Sequence, residues 1–264
     1  MPHASKSPAL RAMTAVALVL VSASGLAVGM ALPARGAPRG AKAAARDEKP
    51  QPFIDHVEQP IEGWTVHVDK RLLGEEKEVG RQALKLLAGK LYGITFLVPE
   101  KQLAQLREVP IWIDLDHKLG AMQYHPSVGW LKGRGYDPKM EKVVHIPNAR
   151  RLVNLQRSNS QPSVVIHELS HAFHDRVLGF DNPRIRKAYE QAVKGGKYEK
   201  VLHISGRTRR HYALKDHKEY FAEATEAFFG TNDFYPFVRA ELKEHDPALY
   251  AILEDVWGRG GKRW

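Results

Sequence analysis

The stretch VVIHELSHAFHD, residues 164–175, decides how the rest of the chain is interpreted. Half of its positions are apolar, and Ser160 or Ser163 can cap the start of a helix here. His167 and His171 lie one helical turn apart, so both imidazoles project from the same face. This spacing is what two ligands of one metal ion require.

Glu168 follows the first of these histidines. It cannot share the ligand position, but it can reach a water on the metal and take its proton. The alternative is a structural helix whose histidines face solvent. The apolar residues around them predict a buried helix instead, and buried histidines need a partner. His174 is excluded as a third ligand because it lies about 10 Å from His167 along the helix axis.

The third ligand is therefore expected on another helix, and residues 216–230, DHKEYFAEATEAFFG, offer three glutamates. Glu219 and Glu223 are one turn apart and can face the same cleft, and Glu226 can do so less well. A solvated acidic face would explain the three acids without a metal. This segment is too apolar for an exposed helix, however, and a buried acid needs a cation.

Composition limits the chemistry further. The 264 residues include no cysteine, which excludes disulfides, thiolate zinc sites and cysteine nucleophiles. A metal site must then use histidine and carboxylate, and these suit zinc in a catalytic role. The net charge of +10 allows weak association with an anionic envelope surface, although scattered charges favour solubility alone. No nucleic-acid-binding motif is present, so no nucleic-acid partner is expected.

The N-terminus has the pattern of an export signal. Lys6 and Arg11 precede an uncharged stretch, and small residues near Ala31 and Ala34 suit a signal peptidase. We predict a signal peptide at 1–34, with an uncleaved membrane anchor as the alternative. A flexible linker rich in Ala, Pro and Gly is predicted at 35–60 and one globular domain at 61–264. The protein is thus expected to be secreted or held in the cell envelope.

Hydrophobic periodicity predicts an α+β domain, with a mixed α/β N-terminal half, a helical C-terminal half and the site in a cleft between them. The N-terminal half should contain a small sheet. The predicted strands are 63–69 and 109–116, with 121–131 and 142–149 forming a further strand pair or a strand with a long loop. The predicted helices are 75–94, 164–175, 216–230 and 246–258, and 183–210 is a mixed segment.

The chain resembles the zinc peptidases of the gluzincin kind, most closely the branch of anthrax lethal factor and the Pro-Pro endopeptidases. In HELSHAFHD, Asp175 lies eight residues after the first histidine. In YALKDHKEYFAE, Tyr212 lies seven residues before Glu219, and the separation of Glu219 from the histidines is long, as in that branch. The resemblance covers residues 160–230.

The resemblance implies a zincin-like fold and one Zn²⁺ per chain. It assigns three residues to the metal: His167, His171 and Glu219. It makes Glu168 the general base and gives Tyr212 the task of donating its hydroxyl to the oxyanion of the tetrahedral intermediate. The alternative for Tyr212 is an ordinary half-buried tyrosine.

Two further carboxylates, Asp175 and Glu223, are candidates for orienting the metal ligands, since each lies one turn beyond a ligand. Either could equally be a surface ion-pair partner. In this fold class an edge strand often pairs with an extended peptide substrate. Residues 109–116 and 142–149 are the candidates for that strand.

Two functions follow from these patterns. The first is an exported zinc-dependent endopeptidase acting on a peptide or protein substrate. The second is a catalytically inactive protein of the zincin fold that binds a peptide or an envelope polymer. Glu168 distinguishes them, because a structural metal site has no use for a base beside its ligand.

Overall fold

The computed structural model describes residues 53–258. The predicted signal peptide at 1–34 lies outside the described residues, as do positions 35–52 of the predicted linker. The strands of the described part are β1 His56–Ile61, β2 Trp64–Asp69, β3 Ile111–Ile113, β4 Gln123–Tyr124, β5 Val144–Ile146, β6 Val201–Leu202 and β7 Thr208–Arg209. Its α-helices are α1 Lys77–Leu97, α2 Glu100–Arg107, α3 Val128–Lys132, α4 Ala149–Ser158, α5 Val164–Phe173, α6 Pro183–Gly195, α7 His217–Phe229, α8 Arg239–His245 and α9 Pro247–Trp257.

Five strands form one mixed sheet in the order β1-β2-β3-β5-β4. The central strands β2, β3 and β5 are parallel, whereas β1 and β4 run antiparallel at the two edges. Val66, Ile111 and Val144 lie side by side across the centre and are fully buried. Short apolar runs are typical of strands covered on both faces. The expected α+β class is confirmed, with the five-stranded sheet in the N-terminal half, while β6 and β7 form a small separate sheet in the C-terminal half.

The strand nearest the site differs from the prediction. Residues 109–116 and 142–149 were expected to offer an edge to a substrate, but they contain β3 and β5, which are internal. An internal strand has no free backbone groups for another chain, so that prediction was wrong. The edge strands are β1 and β4, and it is β4, paired only with β5, that contacts the motif helix α5. The two residues of β4 are too few to give a clear alternating pattern in the sequence.

The first hairpin begins inside the interval predicted as linker. β1 pairs with β2 through a two-residue turn in which Glu62 and Gly63 have φ of 50° and 90°. Positive φ at both positions is the geometry of a type I′ turn, whose twist matches that of the strands. The ordered chain therefore starts before Ile61.

The helical half is built around α7, which is buried along its length from Glu219 to Phe229. α5 packs against one side of α7, and α6, α8 and α9 pack around the rest. α5 also contacts β4 and β5, so one helix joins the sheet to the helical half. Asp246 caps α9 by accepting the N–H of Leu249, at the start of the helix predicted at 246–258. No helix formed by residues 53–258 is long and apolar enough to cross a bilayer.

Candidate metal centre

The packing of α5 on α7 brings three side chains to one point. The Nε2 atoms of His167 and His171 are 3.1 Å apart, and each lies 3.2 Å from Oε2 of Glu219. Four ligand atoms around a tetrahedral ion with bonds of 2.0–2.1 Å are separated by about 3.3 Å. The near-equilateral triangle of these atoms therefore has the dimensions of one face of a coordination tetrahedron, and the group is positioned to hold a metal ion.

The electrostatics of this group suit a cation. The three side chains are between 9 and 13% exposed, so water has little access to their ligand atoms. Burial opposes ionisation of Glu219, but the two histidines outweigh it and hold the pKa of this carboxyl well below its usual range. Glu219 is thus an ionised carboxylate, the form in which it can bind a metal.

Glu226 orients the first histidine. Nδ1 of His167 donates to Oε1 of Glu226 at 2.7 Å, which leaves the Nε2 lone pair free for a metal. The nearest oxygen of Glu223 is 3.9 Å from the same nitrogen, beyond hydrogen-bonding distance. Glu223 was one of the two carboxylates predicted to orient a ligand, and the structure places Glu226 in this position. Glu226 lies two turns beyond Glu219 and so shares its face of α7.

Asp175 lies apart from the ligands. Its Oδ2 accepts the hydroxyl of Tyr124 at 2.8 Å and the ammonium of Lys142 at 2.5 Å. Its carboxylate forms no hydrogen bond or ion pair with His171 among the described residues. The π-helical turn His174–Leu178 carries this aspartate, so the regular helical spacing used in the prediction does not apply here. Of the two alternatives for Asp175, the structure shows the ion-pair partner.

The carboxylate of Glu168 is held by the sheet edge. Its Oε2 accepts the backbone N–H of Tyr124 on β4 at 2.9 Å. Burial raises the pKa of Glu168, although His167 and His171 act in the opposite direction. A buried carboxylate with a raised pKa, beside three converging ligand atoms, has the properties of a general base.

Tyr212 is connected to Glu219 through Lys215, which was not among the predicted site residues. Nζ of Lys215 donates to the Tyr212 hydroxyl at 2.8 Å and to Oε1 of Glu219 at 2.5 Å. Tyr212 itself is 45% exposed and lies in the cleft wall. The pKa of Lys215 is raised because these two bonds outweigh burial, so the ammonium stays charged. Lys215 lies four residues before Glu219, and this spacing could have predicted their contact from the sequence.

These groups line a cleft with a volume of about 590 Å³. Its walls come from α5, α7, β4 and the segments that carry Tyr212 and Phe234. The three metal-ligand candidates and Glu168 all face it. The ligand triangle is thus open on the cleft side, where a further ligand or a substrate can approach.

A second polar cluster lies on the sheet, away from the cleft. Both oxygens of Asp114 are used, since Oδ1 is 2.6 Å from Nε2 of His56 and Oδ2 is 2.8 Å from Nε2 of His145. Burial opposes ionisation of Asp114, yet the two histidines lower the pKa of this carboxyl to about 2. Asp114, His117 and His145 are also close enough to hold an ion. Nδ1 of His117 already accepts the N–H of Leu119.

Comparison with protein-family models, with curated proteins and with solved structures finds no match. The class of the protein is therefore described from its structure alone. It is an α+β protein with a buried group of histidine and glutamate that is positioned to hold a metal ion at the wall of a cleft.

Proposed function

We propose that this protein is an exported zinc-dependent endopeptidase with a zincin-like fold, of the gluzincin kind and nearest to the lethal-factor-like and Pro-Pro endopeptidase branch. One observation carries the proposal. Three ligand atoms converge at 3.1–3.2 Å from one another, with the carboxylate of Glu168 beside them on the same cleft. A structural metal site would need no such base.

Zinc is the ion that this donor set fits best. Two imidazoles and one carboxylate form the three-ligand set of many catalytic zinc sites, which keep a fourth position open. The chain has no cysteine, so a thiolate-bound structural zinc is excluded. Glu226 supplies the carboxylate that catalytic zinc sites place behind a histidine ligand to fix its tautomer.

A bound zinc ion would supply a Lewis acid that acidifies water and polarises the peptide carbonyl. Glu168 takes the proton of the attacking water and returns it to the leaving amine, and its raised pKa suits both steps. The Tyr212 hydroxyl donates to the oxygen that becomes negative as the carbonyl is attacked. Lys215, bonded to that hydroxyl, adds positive charge at the same place.

The edge strand β4 supports a peptide as substrate. It lines the cleft, and no strand of the described chain pairs with its outer edge, where an extended chain could be added. The N–H of Tyr124 already points to this side, because it reaches Glu168. A substrate paired with β4 would therefore lie next to the base. Export follows from the signal-like sequence at 1–34.

Elemental analysis and a peptide library test the proposal together. We expect about one zinc per chain in wild type and in Glu168→Gln, and none in Glu219→Ala. Wild type should cleave peptides, and Glu168→Gln should not. Zinc binding without cleavage by wild type would favour the binding protein of the same fold. A wild type that cannot be loaded with zinc would overturn the metal site itself.

A further inference from the structure

Beside the metal ligands the cleft extends into a pocket lined by acidic side chains. We call it the acidic recess and define it by five residues that line the cleft: His203, Glu223, Glu226, Asp233 and Phe234. Two of the acids are on α7, and Asp233 and Phe234 follow that helix. Glu226 connects the recess to the metal group through His167.

The carboxyl of Glu223 is buried and forms no direct ion pair or hydrogen bond within residues 53–258. Glu223 is only 4% exposed, and its Oε2 forms no hydrogen bond among the described residues. The closest candidate is Nδ1 of His211 at 3.7 Å, but this nitrogen already accepts the N–H of Ala213. It therefore offers Glu223 no proton. Nδ1 of His167, on the other side, donates to Glu226.

Asp233 is also buried without a close ion pair, although its carboxyl accepts its own backbone N–H. Its closest basic neighbour is Nε2 of His203 at 3.7 Å, beyond hydrogen-bonding distance. Burial and the charge of Glu226 raise the pKa of Asp233 to about 7. Burial of two carboxyl groups without a cation at hydrogen-bonding distance is costly for the folded state, and a cation that enters the recess would relieve this cost.

The basic residues nearby do not fill the recess. Nζ of Lys90, which lies near Glu226, donates to the backbone oxygen of Pro162. Arg209 lines the cleft on β7, and its charge lowers the pKa of Asp233, but its side chain is exposed and forms no direct ion pair within residues 53–258. The cation must then come from a molecule that enters through the cleft.

The shape of the acceptor set favours an organic cation over a second metal ion. Glu223 and Glu226 converge only with His167, whose Nδ1 is already committed to Glu226. Asp233 does not belong to that convergent group. A small ion needs several ligands at one point, whereas an ammonium or guanidinium group carries several N–H donors that can reach separated oxygens. Phe234 adds an aromatic wall, which also suits such a cation.

We propose that the acidic recess binds the ammonium or guanidinium group of a substrate, and so directs cleavage to peptide bonds near a positive charge. The proposal rests on the peptidase function proposed above. The cation can be a Lys or Arg side chain or the amino terminus of the peptide. Glu223 and Asp233 are the specificity-determining residues.

Matched peptides test the recess. One pair is acetylated at the amino terminus and differs only in lysine against norleucine, and a third peptide has norleucine and a free amino terminus. The full zinc-loaded chain should show a kcat/KM about 10- to 100-fold higher for the cationic member, as expected for a hydrogen-bonded charge. Preference for the acetylated lysine peptide identifies a side chain, and preference for the free terminus identifies an amino-terminal ammonium.

Variants assign any such preference to the recess. In Glu223→Gln and in Asp233→Asn the ratio of kcat/KM values should fall towards one, whereas Glu244→Gln, which changes an exposed glutamate, should keep the wild-type ratio. Zinc content is measured in each variant, so that a lost metal is not mistaken for lost selectivity. Either a wild-type ratio of one or an unchanged ratio in both recess variants would overturn the proposal.

A binding assay separates this proposal from the proposed function. Glu168→Gln is titrated with the same labelled peptides, which requires no cleavage. If wild type cleaves nothing but Glu168→Gln binds cationic peptides at least tenfold more tightly, the peptidase function fails and the recess stands. If all peptides bind equally, the recess fails, whether or not cleavage occurs.

Discussion

His167 lies between two glutamates of α7, with Nδ1 2.7 Å from Oε1 of Glu226 and Nε2 3.2 Å from Oε2 of Glu219. The glutamates are two helical turns apart, and the imidazole spans the distance between them. One carboxylate thus orients the ring, while the other shares the proposed metal with it. The burial of all three residues makes this arrangement costly to disturb.

Replacement of Glu226 by glutamine should weaken zinc binding. The amide is uncharged and holds the His167 tautomer less well, so we expect the dissociation constant to rise about 10- to 100-fold. Competition with a chromophoric chelator measures it. Glu223→Gln is the matched control, since Glu223 is 3.9 Å from the same nitrogen and should leave the constant within about threefold. Equal losses in the two variants would contradict the assignment of Glu226.

Removal of the Tyr212 hydroxyl should slow cleavage without loss of metal. Tyr212→Phe takes away a donor to the developing oxyanion, and loss of one such donor lowers kcat about 10²- to 10³-fold. Tyr92→Phe is the control, because Tyr92 is an exposed tyrosine on α1. Steady-state kinetics compare kcat of the two variants with that of wild type, and zinc content is measured in parallel. Full activity in Tyr212→Phe would return this residue to the role of a half-buried cleft tyrosine.

His174 should make the fold sensitive to acid. Both ring nitrogens are buried without a hydrogen-bond partner in the described chain, and the ring packs against Phe180 and Phe221. Burial lowers the pKa of His174 to about 3, whereas its ordinary value is 6.5. Protonation therefore favours the unfolded chain below pH 6.5. Between pH 7 and pH 5 this group alone should cost about 2 kcal/mol of stability.

His174→Leu tests this expectation. Leucine has no proton to gain, so the variant should lose about 2 kcal/mol less than wild type over the same pH interval. Urea unfolding at pH 7 and pH 5 gives the two differences, and zinc release at low pH affects both proteins alike. Parallel pH profiles would mean that His174 can be protonated in the folded state.

The Asp114 cluster should contribute to stability rather than to cleavage. Asp114→Asn removes the charge between His56 and His145, and a broken buried pair of this kind costs about 3 kcal/mol. The control is Asp55→Asn, since Asp55 forms an exposed ion pair with Lys70 that is worth at most about 1 kcal/mol. Denaturant unfolding compares the two variants. A loss in Asp114→Asn no greater than in the control would contradict this structural role.

Local patterns were sufficient to predict much of the framework. The one-turn spacing of His167 and His171 places both rings on one face of a helix wherever that helix packs. Caps such as Asp246 act within a few residues of themselves, so the start of α9 could be predicted. Helices α2, α3, α4 and α8 were not predicted, and α3 lies largely within 121–131, which was assigned to a strand or a strand with a long loop. Short elements depend on what they pack against.

Only the tertiary structure decided which carboxylates do what. Glu219, Glu223 and Glu226 occur on one helix, and periodicity allowed each of them to face the cleft. The contact between α5 and α7 aligned Glu226 with Nδ1 of His167 and left Glu223 without a hydrogen bond within residues 53–258. Likewise, β4 is the strand that contacts Glu168 because it lies at the edge of the sheet. Helical and strand periods determine which residues share a face, but the packing of elements distant in sequence determines what that face meets.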